Sequence, residues 1–150
     1  MTDLTAARTT TTLGGAPRLG VVALAFFTTL GVALLALGAL FAFAPDLAEQ
    51  SYGVSVQQDG AVLHRAIGSR EVFLGALLLA LAWRHRVREL ALVTLLSAMV
   101  ALGDFWTVAT ASGAGPAQAL PHLAGVVLLA VVGGRLWRTT HGPQDPATDA

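Results

Sequence analysis

Four long apolar stretches, Leu19–Ala44, Val62–Trp83, Leu90–Ala109 and Ala117–Trp137, alternate with shorter polar segments along the chain. Each holds about 20 residues or more, enough for a helix to cross roughly 30 Å of hydrocarbon. The pattern therefore predicts an all-α fold: an integral membrane four-helix bundle occupying residues 19–137. The Thr-rich residues 1–18 and the Pro-containing residues 138–150 have no apolar period and read as disordered tails. A secretory signal is the competing reading of the first stretch, because Ala42-Phe43-Ala44 resembles a cleavage motif. That stretch is longer than the usual apolar core of a signal peptide, and Pro45 would directly follow the cut, so a retained span is expected.

Charge placement adds an orientation. Arg8 and Arg18 precede the first span, Arg84, Arg86 and Arg88 fill the connection between the second and third, and Arg135 and Arg138 close the fourth. The segment between spans one and two carries Asp46, Glu49 and Asp59 with no arginine, and the turn between spans three and four is uncharged. Arginine concentrates on the cytoplasmic side of membrane proteins. Both termini are thus expected in the cytoplasm, in the cell membrane of a bacterium.

Composition agrees and removes several chemistries. Hydrophobic residues make up 55% of the chain and charged residues 12%, against about 25% charged in soluble domains. A formal net charge of zero gives no electrostatic footprint for nucleic acid. The absence of cysteine excludes disulfides, thiolate metal sites and thiol redox chemistry. Phosphate-loop and nucleophile-elbow patterns are missing, and no H-x-x-x-H or E-x-x-H pair occurs, so neither cofactor nor metal is expected.

The informative feature is a set of ionisable residues inside the apolar stretches. His64, Arg65, Arg70 and Glu71 lie in the second span, Asp104 in the third and His122 in the fourth. At 1.5 Å per residue, Glu71 lies about 13 Å below the outer end of its span, and Asp104 and His122 about 8 Å below theirs. All fall in the outer half of the bundle. His64, Gly68, Glu71 and Gly75 share one helical stripe, whose glycines permit close helix approach or leave room for a ligand. Arg70 projects about 100° from Glu71, so its expected counter-ion is Asp104 on the next span. Ser97 shares a face with Asp104, and Thr28 on the first span is placed to add a hydroxyl. Trp83, Trp106 and Trp137 sit near span ends as interfacial anchors, with Trp106 joining the candidate binding set.

Ionisable groups within a membrane span are costly, about 2.5–3.5 kcal/mol each at the centre on insertion scales, and mark functional sites by default. The candidate catalytic set is Glu71, Asp104 and His122; the candidate binding set is His64, Arg70, Gly68, Gly75, Ser97 and Trp106. The bland alternative is that these charges pair between helices and only fix register. Three function classes follow: a pocket for a small hydrophobic molecule, a membrane-embedded acid–base enzyme such as an isomerase, cyclase or epoxide-opening enzyme, and a transporter or structural subunit. The expected partners are the lipid bilayer, a small apolar ligand and further copies of the chain.

These residues also carry a resemblance. Tyr52-Gly53-Val54, the run Gly68-Ser69-Arg70-Glu71-Val72-Phe73-Leu74-Gly75, Gly103-Asp104 and His122 resemble a family of small membrane proteins catalogued as domain of unknown function 4267, similar in turn to DoxX-like four-helix proteins. The likeness spans roughly residues 19–137. It implies a G-x-R-[DE]-x-x-x-G element in the second helix, matched by Gly68, Arg70, Glu71 and Gly75, an acid in the third helix at Asp104 and a histidine in the fourth at His122. Glu71 stands where the family pattern more often has aspartate. The resemblance implies the fold and the polar cluster, and no particular reaction.

Overall fold

A computed structural model describes residues 18–52, 60–111 and 116–141. Five helices follow in order: α1 (Val21–Phe43), α2 (Pro45–Tyr52), α3 (Gly60–Trp83), α4 (Val87–Thr110) and α5 (Pro116–His141). Among the described residues there is no strand. Four of the helices are long and apolar enough to cross a membrane.

Three boundaries differ from the sequence reading. The segment after the first span begins with a helix, α2, rather than as an irregular loop. Ala44 ends α1 by donating its amide to Leu40 O, and its own carbonyl accepts the amides of Leu47 and Ala48. Pro45 then occupies the first helical position, where its missing amide costs nothing, and Asp46 adds a carboxylate in the favourable first turn. The C-terminal tail starts later than residue 138, because α5 continues to His141. Thr139 and Thr140 bond back to Leu136 O, and the His141 ring stacks on Trp137 at 4.0 Å. Residues 1–17 and 142–150 lie outside the described residues, and so do the expectations made for them.

The third difference is the turn joining α3 to α4, which takes only Arg84, His85 and Arg86. His85 has φ 52°, its amide donates to Ala82 O, and the Arg86 amide donates to Leu81 O. This is the paired hydrogen-bond pattern of a Schellman helix stop, whose left-handed position is usually glycine. Histidine tolerates that conformation better than most residues, though at a cost of roughly 1–2 kcal/mol.

The four long helices pack as two antiparallel pairs, α1 with α3 and α4 with α5, and the pairs meet mainly where α3 faces α4. Glycines set the first pair. A Cβ on Gly38 would lie 2.6 Å from Gly68 O, and one on Gly68 would lie 2.8 Å from Gly38 O. One turn group further along, a Cβ on Gly75 would lie 2.7 Å from Gly31 O. The seven-residue spacing in each helix therefore brings backbone against backbone at two levels, the close approach that small residues permit in lipid. The second pair meets through side chains, with Gly133 admitting Leu95 as its tightest point.

The bundle has two unlike ends. At the end carrying the arginine turn, Phe27, Leu78, Ala82, Val87 and Leu90 form a close-packed apolar cluster, with Val132 and Leu136 of α5 against it. Trp83 donates its indole hydrogen to Thr28 Oγ1 at 3.3 Å near that end. Thr28 is thereby committed away from the polar cluster it was expected to join. The opposite end, beside α2, is hollow.

Candidate functional site

The hollow is a cavity of about 470 Å³ between the two helix pairs. Its walls are Leu30, Leu34 and Leu37 of α1, Leu74 and Leu78 of α3, and Leu129 of α5. From Leu30 to Phe41 the α1 wall extends roughly 17 Å along the helix axis. Its polar groups are Glu71, Ser97, Asp104, Gln118 and His122, drawn from three helices. Volume and lining fall within the range of small-molecule sites, mostly apolar with a few placed polar groups.

Arg70 joins the halves. Its Nη1 and Nη2 donate to Asp104 Oδ1 and Oδ2 at 3.1 and 3.0 Å, a two-pronged bond from α3 to α4. Fork-to-fork geometry of this kind is the strong form of an arginine–carboxylate contact. The interhelical pair read from the sequence is present. The expectation that Arg70 would turn away from Glu71 is corrected. Arg70 Nε and Nη2 also donate to Glu71 Oε1, at 3.1 and 2.6 Å. Adjacent residues diverge by about 100° at Cβ, but an arginine chain is long enough to bring its guanidinium back across that angle. Glu71 and Asp104 thus converge on a single Nη2.

The two carboxylates differ in what they leave open. Both oxygens of Asp104 are engaged by Arg70. Among the described residues, no hydrogen bond reaches Glu71 Oε2, although the residue is 94% buried and lines the cavity. Ser97 also lines it, and its hydroxyl hydrogen is spent on Val93 O at 2.9 Å, so the oxygen faces its surroundings as an acceptor. On α5, Pro121 has no amide hydrogen to give the Ala117 carbonyl four residues earlier, and both residues line the cavity. Sequence reasoning passed over Pro121 and Gln118. A proline inside an apolar span, next to an ionisable residue, is the signal that would have found them.

The remaining expected site residues divide. His64 is buried on the predicted stripe, stacked on Phe41 with ring centroids 6.0 Å apart, and Phe41 in turn forms cavity wall. Gly68 and Gly75 are closed against Gly38 and Gly31, so they serve helix contact and leave no ligand space. Trp106 is 68% exposed on the outer surface of the bundle and takes no part in the cavity. Arg65 is also exposed. Among the described residues, no three His, Asp or Glu groups are gathered closely enough to share a metal ion.

Four apolar helices and a buried ionic cluster define an integral, multi-pass membrane helical bundle. The chain belongs to the family described as "Domain of unknown function (DUF4267)", whose model matches residues 31–136, from within α1 to near the end of α5. No curated protein and no solved structure matches the chain.

Proposed function

We propose that this protein holds a small hydrophobic molecule with one polar end in the cavity between its helix pairs. The observation that carries the reading is the arrangement of that space: leucine walls over most of its surface, interrupted by Glu71, Asp104 and His122, with Ser97 about 10 Å from Asp104 along α4. A leucine-lined space inside a hydrocarbon bilayer has little use for carboxylates unless a polar group meets them, because each charge taken into the membrane is costly. The test is purification in neutral detergent followed by mass spectrometry of co-purified small molecules. A defined compound should accompany the wild type and be lost from Leu34→Trp, which fills the cavity, at unchanged melting temperature. Equal recovery from both proteins would remove the proposal.

The convergence of two carboxylates on Arg70, with His122 on the same cavity, favours a second reading: acid–base catalysis on such a molecule. Glu71 would exchange the proton through Oε2, Arg70 would hold Asp104 ionised beside a developing positive charge, and His122 would relay the proton. Binding retained with turnover abolished in Glu71→Gln would support it.

The arginine asymmetry further supports both termini in the cytoplasm and the α2 end of the bundle facing outward. Cysteines at Ser55 and Ser112 should then react with an impermeant thiol reagent added to intact cells, and one at Val87 should not. Labelling at Val87 alone reverses the orientation.

A further inference from the structure

We infer that the occupant of the cavity is a single-chain amphiphile with a protonated amine head, seated on Glu71 Oε2 with its tail along the leucine walls; this rests on the cavity being a binding site. The first argument is charge. Arg70 faces two acidic side chains, Glu71 and Asp104, so the span holds one cationic group against two carboxyl groups. The other titratable groups around them are His122 on α5, also on the cavity, and His64 on α3, set behind Phe41; α1 and the described side chains of α2 bring none to the cavity. A cation brought by the ligand balances the cluster.

The second argument is hydrogen-bond polarity, and it is independent of charge. The guanidinium is turned toward the two carboxylates, and Arg70 itself is absent from the lining. Beside the ion cluster the cavity meets acceptors, Glu71 Oε2 and the Ser97 oxygen whose hydrogen is bound to Val93, while the lining side chains able to donate, Gln118 and His122, stand on α5. A carboxylate or phosphate head seated at Glu71 would meet an acceptor where it needs donors. An ammonium supplies three donors and the missing charge together. The third argument is shape. The glycine contacts set Glu71 roughly level with Leu37, so about 10 Å of the α1 wall runs from it toward Leu30, a length that suits one extended alkyl chain better than a compact ring.

The experiment compares dodecylamine, dodecanol and dodecanoate for binding to the full chain in neutral detergent, read by native mass spectrometry and checked by melting temperature. Dodecylamine should bind at least about tenfold more tightly than dodecanol, a 1.4 kcal/mol difference, and dodecanoate most weakly. Glu71→Gln should erase the amine's advantage while dodecanol still binds, and Leu34→Trp should exclude all three. Equal binding of amine and alcohol would overturn the head-group inference and leave the cavity reading intact. Preference for dodecanoate would overturn it by making Arg70 the recognition group. Binding of none of the three would overturn both readings. Should Glu71→Gln fail to fold, the wild-type ranking of the three heads decides alone.

Discussion

The two ends of this bundle solve the same packing problem in opposite ways. At the arginine-turn end, Phe27, Leu78 and Leu90 are fully buried, and helices from both pairs close on one another through apolar side chains. At the α2 end the pairs stand apart around about 470 Å³ of space, and an arginine with two carboxylates spans the gap. Lipid tails are as apolar as leucine, so helices in a membrane associate through packing and polar contacts rather than by escaping water. Where packing is complete, no charge is spent. Where a space is kept, directional ionic bonds hold the walls at their distance.

If that contrast is right, the largest effects come from stranding a charge at the hollow end. Arg70→Met or Asp104→Leu alone should destabilise by about 3–5 kcal/mol. The double variant should recover much of that, measured by chemical unfolding in detergent. Full additivity of the two losses would show that the halves are not joined there. Leucine truncation should separate the ends next. Leu90→Ala, in the close-packed cluster, should cost about 2–5 kcal/mol, whereas Leu37→Ala only enlarges an existing space and should cost well under half as much. Equal losses would mean that the hollow end collapses as the packed end does.

Smaller effects probe the α1/α3 seam that runs past both ends. Gly38→Val must push aside Gly68 O and Val72 and should cost about 1–3 kcal/mol. Gly103→Ala, where an added Cβ meets nothing within 4 Å, should change stability by at most a few tenths of a kcal/mol, tested by melting temperature. A large loss at Gly103 would place another surface against that face of α4.

The same contrast explains what could be read from the chain. Spans were legible because their apolar length is set by the bilayer, and the Arg70–Asp104 pair because both charges lie in the outer half of their spans. Contacts set by side-chain reach or by a distant partner were not. The fold-back of Arg70 onto Glu71 contradicts a rule about Cβ directions, and a long flexible side chain is free to break it. Gly68 and Gly75 announced a close approach, but only the antiparallel pairing shows Gly38 and Gly31 filling the space read as room for a ligand. The helix α2 escaped notice because it is too short and polar to carry an apolar period. Trp106 stands two residues from Asp104, about 200° around the helix, and so faces away from the cavity.

The Arg70–Glu71 contact matters for how the chain is made. Asp104 lies 34 residues beyond Arg70. At ribosomal rates of about 5–20 residues per second, α3 exists for roughly 2–7 s before that partner is synthesised. During the interval a guanidinium must leave the translocation machinery for lipid with nothing on α4 to meet it. The neighbouring carboxylate is made within the same fraction of a second and can travel with it, so a nascent α1/α3 hairpin carries a counter-ion for its arginine before α4 exists. On this account Glu71 acts as an escort before it becomes part of a cavity.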